Sequence, residues 1–515
     1  MSRSLLGPAG LVWGALGLLG LWLLAVPATD PDFGWHVANG RHVLDGVLFA
    51  ARDVYSWTAP GATWIAHEWG SEWVMAGLED SLGPTAVSLA AALMALAGLG
   101  LVGSRLVGRG FSLASAAGAT LLALLTCLVS ATTRPLVMEV FGLGASLWLW
   151  QAYRDGRLSD RRLAVAAGLL MLLWANTHGS YPLEVAVWLA GAAESFVGGR
   201  RRRAARLVAL SGVCAIVACL NPFGPRLWAY SIEALQGSRL DLIQEWASPD
   251  FRASEWWPLL LLIVLALGGT VVILHRARAD GLTSLSPWVA DVGLAGVGIL
   301  AALHSGRHVI IAAPTAAPLV ATALTAAQSR WKRSEAAGSE VHPRLNLALL
   351  VLGGLLTVGA LWLKVGPIAQ TTAREATYPV AALPALDVAV CADGPRLDLL
   401  NEFGWGGYLT QVRPGARIFI DGRVEVYGDA QVARYALLMA AAPGWQEALD
   451  GVGVQTALIR ADSALAPALR QAGWITRYAD DLATLLVRPG SPAADPPARC
   501  AAASGAQAPA RATSG

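Results

Sequence analysis

About eleven stretches of this chain are apolar over a length that reaches across a bilayer, which takes roughly 20 residues of helix. They run at roughly 9–28, 84–104, 111–131, 136–152, 163–177, 183–198, 205–220, 257–274, 285–303, 308–327 and 346–366. The fold class predicted is therefore an α-helical polytopic membrane protein. Composition agrees: 55% of the 515 residues are hydrophobic and 14% charged, with a mean hydropathy of +0.50. A water-soluble chain carries about a quarter charged residues. The net charge of +2 holds no excess that would attract nucleic acid.

Alternate connections between these stretches are basic. They carry Arg105 and Arg109; Arg154, Arg157, Arg161 and Arg162; Arg200, Arg201, Arg202, Arg203 and Arg206; Arg276 and Arg278; and Arg330, Lys332 and Arg333. Short loops rich in Lys and Arg stay in the cytoplasm, so these loops are expected there, together with the N-terminus and its Arg3. Val26-Pro27-Ala28 has the small-residue character of a signal-peptide cleavage site. The run before it is longer than a usual signal sequence, which favours a retained span. The remaining connections are then the outer ones: a loop at 29–83, turns at Arg134, 176–182 and 304–308, a loop at 221–256, and everything after about 367.

The outer connections hold the varied polar chemistry, whereas the basic loops are mainly Arg with Asp, Gly and Ser. The first outer loop opens with Asp30-Pro31-Asp32-Phe33-Gly34-Trp35-His36 and later reads His67-Glu68-Trp69-Gly70-Ser71-Glu72-Trp73. On a helix Glu68 and Glu72 share a face. Later turns add Arg134-Pro135, Asn176-Thr177-His178, Glu245-Trp246 and Arg307-His308. Each of these alone reads as the wet boundary of a span. Together they share one side, and charge at a span end is costly without a partner or a purpose.

An apolar span leading into an outer loop that begins with an acidic pair resembles the GT-C superfamily of glycosyltransferases, polytopic enzymes that use polyprenyl-phosphate-linked sugars. The fuller pattern, Asp30-x-Asp32 with Trp35-His36, His67-Glu68-Trp69 and Arg134-Pro135, is similar to a bacterial subgroup without assigned activity. Trp405-Gly406-Gly407-Tyr408, Asp421-Gly422-Arg423 and Tyr427-Gly428-Asp429 also resemble it. Pro31 splits carboxylates that many GT-C enzymes have adjacent, which leaves open which of the two is the base.

The resemblance implies transfer of a sugar from a polyprenyl-phosphate donor to a glycan, lipid or protein acceptor, on the outer face of the cytoplasmic membrane. Asp30 or Asp32 would take the acceptor's proton, and Arg134, His178, Arg307 and His308 would bind the donor phosphate, Arg through its bidentate fork. His36, His67, Glu68, Glu72, Glu245, Trp246, Trp405, Asp421 and Arg423 would meet the acceptor or support the site. A divalent ion, Mg, Mn or Zn, could be held by Asp32, Glu68 or His36. The rival readings are a transporter or a non-catalytic scaffold on the same fold. A transporter predicts charges deep in the spans, but Glu139, Glu184 and Glu194 lie near span ends and Asp291 one to two turns inside.

Residues 1–366 are thus expected to form the transmembrane domain with its outer loop 29–83, and residues 367–488 a small α/β domain outside the membrane. Strand-like runs fall at 389–391, 417–421, 456–459 and 484–487, with helical runs at 430–441 and 463–472 between them. Residues 489–515, rich in Ala, Pro, Gly and Ser, are expected to be disordered. Cys127, Cys214 and Cys219 lie in apolar runs as inert thiols. Cys391 and Cys500 could pair if their compartment is oxidising.

Overall fold

The computed structural model describes residues 7–46, 52–234, 247–331, 342–394 and 396–503. The chain divides into two compact units. One, helical, comprises Met1–Pro27, His67–Ser71 and Leu82–Pro367; the other, α/β, comprises Ala28–Ala66, Glu72–Ser81 and Ile368–Gly515. Most of the first long loop therefore belongs with the C-terminal region.

In the helical unit each apolar stretch is a helix: Pro8–Leu24, Pro84–Gly108, Leu113–Cys127, Val137–Arg154, Asp160–Ala175, Pro182–Val197, Arg201–Val217, Trp257–Asp280, Val289–His304, Val309–Trp331 and Pro343–Val365. Six helical segments among the described residues are long and apolar enough by themselves to cross a membrane: Pro84–Gly108, Leu113–Ser130, Ser254–Ala279, Ser284–His304, Gly306–Ser329 and Pro343–Thr377. Local chemistry sets the ends. Proline stands in the first turn of the helices that open at Pro8, Pro84, Pro182 and Pro343, where its missing N–H costs nothing. Ser112 caps the helix after it by accepting from the Ser115 N–H at 3.2 Å. Small residues set the packing. A Cβ at Gly98 would meet the Val140 carbonyl oxygen at 2.5 Å, and one at Gly144 would strike the Gly98 carbonyl. Helices 84–108 and 137–154 thus touch backbone to backbone, as helices in lipid do.

Polar chemistry is not confined to one end of this bundle. The end bearing the Arg-rich connections holds a buried ion cluster around Asp291 and Glu194, each 1% exposed. Its members come from separate helices, a juxtaposition that the linear sequence does not state.

The α/β unit is built on a five-stranded sheet: β1 (Leu397–Asn401), β2 (Ala416–Ile418), β3 (Thr456–Arg460), β4 (Ile475–Ala479) and β5 (Ala483–Val487), in the order β2-β1-β3-β5-β4. β1 is parallel to β2 and β3, and β5 is antiparallel to β3 and β4. The first-loop segment around Ser56 pairs with the β2 edge: Trp57 N–H donates to the Ile418 carbonyl at 3.1 Å, and Ile418 N–H to Tyr55 at 3.2 Å.

The expected strands at 456–459 and 484–487 match β3 and β5, and the one at 417–421 overlaps β2 only at 417–418, residues 419–421 lying beyond the strand. The run at 389–391 matches no strand: it lies inside the helix Leu383–Asp393, whose buried Leu386 and Ala389 recur at helical spacing. A short apolar run does not distinguish the two periods. The expected disorder also begins too early. Residues 492–494 form a 3-10 turn and Ala498–Ala503 a short helix, because a disulfide between Cys391 and Cys500 fastens this segment and buries Cys500. Residues 504–515 lie outside the described residues.

Candidate functional site

In the α/β unit, Asp30 and Asp32 form a turn that starts the helix Phe33–Leu44. Asp30 Oδ1 accepts from the Asp32 N–H at 3.0 Å, and the Asp30 carbonyl accepts from the Phe33 N–H at 3.0 Å. Asp32 Oδ1 accepts from Trp35 Nε1 at 3.0 Å. Tyr378 donates its hydroxyl to the Asp30 carbonyl at 2.9 Å and stacks on Tyr408, ring centres 4.4 Å apart. Burial first, and then the Asp30 and Asp32 carboxylates, push the Tyr378 phenol far above its ordinary range, so it stays a donor.

Glycines bring the C-terminal motifs onto this turn. A Cβ at Gly422 would collide with the Asp32 carboxylate, one at Gly407 with the Pro31 carbonyl, and one at Gly34 with the Gly407 carbonyl. The glycines of Trp405-Gly406-Gly407-Tyr408 and Asp421-Gly422-Arg423 are thus a clearance requirement. Trp405 is buried and donates to the Thr377 carbonyl at 2.9 Å.

Asp421 and Arg423 form a buried ion cluster with Asp53. Arg423 NH1 lies 2.8 Å from Asp53 Oδ1 and NH2 lies 2.7 Å from Asp421 Oδ2. The guanidinium sits 4.8 Å from the Trp64 ring and 4.9 Å from Tyr55. Burial alone would lower the Arg423 pKa, but the Asp421 and Asp53 carboxylates hold it well above its ordinary value. His36 and Glu72 are each 1% exposed; His36 Nδ1 is 3.0 Å from Glu72 Oε1, and Asn39 Nδ2 donates to Glu72 Oε2. An imidazole and a carboxylate are donors of the kind a divalent metal takes.

The helical unit carries a connected polar network. His178 Nε2 lies 3.3 Å from Glu68 Oε1. The Ser180 N–H donates to His178 Nδ1 at 3.2 Å, so Nδ1 is an acceptor and the ring proton belongs on Nε2, facing the carboxylate. His67 Nε2 is 3.7 Å from the same Glu68 oxygen, and its ring stands 4.7 Å from Tyr230. Ser180 hydrogen bonds Glu139, whose charged neighbour is Arg307. The 67–71 segment is stitched to the turn after helix 160–175: Gly70 N–H donates to the Asn176 carbonyl at 3.0 Å, Trp69 Nε1 to Asn176 Oδ1 at 3.1 Å, and Ser71 Oγ to the Thr177 carbonyl at 2.8 Å.

The structure therefore brings His67, Glu68, His178 and Arg307 into one network. Arg134 occupies the turn before helix 137–154, its N–H on Thr132 Oγ1 at 3.3 Å. His308 closes the 3-10 turn Gly306–His308 and is backed by the Ala301 carbonyl. Glu245 and Trp246 lie outside the described residues. Sequence reasoning gave Glu139 no place in the site and missed Ser180, Tyr230 and Tyr378. An acid on an apolar helix was the available signal for Glu139; the others had none.

No family model matches the chain, and no curated protein is similar to it by sequence. Solved structures do match. The Archaeoglobus fulgidus oligosaccharyltransferase AglB, in complex with an inhibitory peptide and a dolichol-phosphate, superposes with a TM-score of 0.53 at 12% identity, covering 87% of this chain and 69% of that one. The same enzyme tethered to an acceptor peptide gives 0.51 at 12% identity, with 87% and 68% covered. The likeness shows a fold shared with that oligosaccharyltransferase over most of this chain. ArnT from Cupriavidus metallidurans bound to undecaprenyl phosphate is more distant, with a TM-score of 0.46 at 16% identity over 94% of this chain and 97% of that one. In this chain that fold comes with the α/β unit described above, built from most of the first long loop and the C-terminal region.

Proposed function

We propose that this chain is a GT-C-like glycosyltransferase that moves a sugar from a polyprenyl-phosphate donor to an acceptor at the outer face of the cytoplasmic membrane. The observation that carries the reading is the Asp30–Asp32 turn, a carboxylate pair held in place by glycine clearances from two separate motifs. The fold shared with a dolichol-phosphate-binding transferase supports it. The Cys391–Cys500 disulfide supports an oxidising, extracytoplasmic setting for the α/β unit, and with it a cytoplasmic N-terminus.

Transfer from a lipid phosphate needs a base for the acceptor hydroxyl and positive charge for the departing phosphate. In this reading one carboxylate of the Asp30/Asp32 pair is the base. The helical unit supplies two cations, Arg307 beside Glu139 and Arg134, together with imidazole groups at His178, oriented by Ser180 and Glu68, and at His308. Pre-placed charge in a water-poor setting stabilises a developing phosphate without reorganisation. Within the α/β unit His36 and Glu72 have the donor chemistry for a divalent cation, with Asp32 as a further ligand expected from the sequence; a bound metal would supply Lewis-acid charge. Trp405, Asp421 and Arg423 act by shaping the turn.

The test is transfer of labelled sugar from a polyprenyl-phosphate donor by the full chain in membranes. Removing a general base costs roughly 10²–10⁴-fold, so Asp30→Asn or Asp32→Asn should lose that much, with the protein still folded. Arg307→Gln should raise the donor requirement. Wild-type rates in both aspartate variants would leave the proposed base without a residue. A scaffold or transporter reading would be favoured by the absence of transfer from any polyprenyl-phosphate sugar.

A further inference from the structure

The Arg-rich end of the helical bundle holds a second polar cluster, independent of the transfer reaction proposed above. Asp291, near the start of helix 289–304, pairs with Arg105 NH2 and Arg109 NH1, each at 2.5 Å. Arg154 NH1 lies 3.4 Å from Glu194 Oε1 and donates to the Pro287 carbonyl at 3.0 Å. The two groups form one electrostatic unit, since Glu194 also interacts with Arg105, Arg109 and Asp291. Arg203 joins them: its NH1 donates to the Arg154 carbonyl at 3.4 Å, and its guanidinium packs 4.5 Å from the Tyr153 ring.

Charge does not balance here. The side chains of Arg105, Arg109 and Arg154 are 1%, 5% and 18% exposed, and those of Asp291 and Glu194 are 1% each, so two buried guanidinium groups and a partly buried third face two carboxylates, and Arg203 at the rim has Glu194 and Asp160 as its acidic neighbours. An uncompensated buried charge costs several kcal/mol. Donors are also left over. Nε and NH1 of Arg105, and Nε and NH2 of Arg203, are buried without a hydrogen-bond partner, and buried polar groups are rarely left so. Uncompensated positive charge and spare guanidinium donors call for the same thing, an anion with several oxygens. Arginine forks match phosphate in charge and geometry.

We infer that Arg105 and Arg203, with Arg109 and Arg154 beside them, form a binding site for a phosphate group, supplied by an anionic phospholipid headgroup or by free phosphate. Asp291 and Glu194 hold the guanidinium groups in place, and half-buried Arg203 stands at the rim.

The experiment is native mass spectrometry of the full chain in detergent, titrated with phosphatidylglycerol or phosphatidylcholine, together with thermal shift in inorganic phosphate. Arg203→Gln removes a rim donor and leaves the Asp291 pairs intact. A charge-assisted contact of this kind makes roughly a tenfold difference in affinity. Tenfold weaker phosphatidylglycerol retention in Arg203→Gln, with phosphatidylcholine unchanged, would establish the site with a lipid as the source. A phosphate-dependent melting shift lost in the same variant would establish it with free phosphate as the source. Arg105→Gln with Asp291→Asn removes one charge of each sign and should weaken binding similarly. Exposed Arg201→Gln with Arg202→Gln is the control. Equal loss in that control and in Arg203→Gln would mean diffuse surface attraction and overturn the site, as would unchanged binding in the Arg203 and Arg105 variants.

Discussion

Gly422 has no side chain because Asp32 occupies the space a side chain would need. Gly422→Ala forces one of the two to move. Overpacking of this kind costs about 1–3 kcal/mol, and here the displaced group is the proposed base. The variant should therefore lose transfer activity out of proportion to its modest drop in melting temperature. Arg423 predicts the opposite pattern. It is fully buried between Asp53 and Asp421, and removing one partner of such a cluster costs roughly 3–5 kcal/mol. Arg423→Gln should sharply reduce folded yield, and Arg423→Gln with Asp421→Asn should recover part of it, measured by fluorescence-detected size exclusion. The motifs around both residues were legible in the sequence, but their division of labour was not. Clearance at a glycine and closure of an ion cluster depend on what stands opposite, and nothing in a linear string states that for positions separated as far as Asp53 and Arg423. His178 shows the same limit: its place at a span end was readable, whereas the Ser180 and Glu68 contacts that orient its ring were not.

Helices longer than a few turns were readable because apolar composition persists over many residues. Each expected span coincides with a helix, and among the described residues six helical segments are long and apolar enough to cross a membrane on composition alone. Short elements were less readable. The helix Leu383–Asp393 looked like a strand at 389–391, β1 and β4 left no clear mark, and the segment after residue 489 looked unstructured. The last is organised by the Cys391–Cys500 disulfide, whose loop spans a sequence separation of 109. Closing a loop of that size removes roughly 4–5 kcal/mol of unfolded-state entropy. Cys391→Ser should expose Cys500 to alkylation and make the segment after residue 488 a protease-sensitive tail, while the sheet persists. Limited proteolysis followed by mass spectrometry reads both. If the segment stays protected in the variant, its packing rather than the bond holds it.

At the scale of the whole molecule, the parity of the Arg-rich connections makes a compartment prediction. A phosphatase reporter joined after residue 60 or after residue 488 should be active, and one joined after residue 158 or residue 203 inactive. The odd count of expected spans demands that the first pair agree with each other. Activity at only one of them would mean that a span has been counted wrongly.

The α/β unit is also discontinuous in the chain: Ala28–Ala66 and Glu72–Ser81 belong with residues from Ile368 onward. Ribosomal synthesis runs in one direction, so the Asp30–Asp32 turn is made long before Gly407 and Gly422 exist to pack against it. A nascent chain must carry that turn unfinished through most of translation. Stop codons anywhere upstream of the glycine motifs would then yield a membrane-inserted product whose acidic turn never matures.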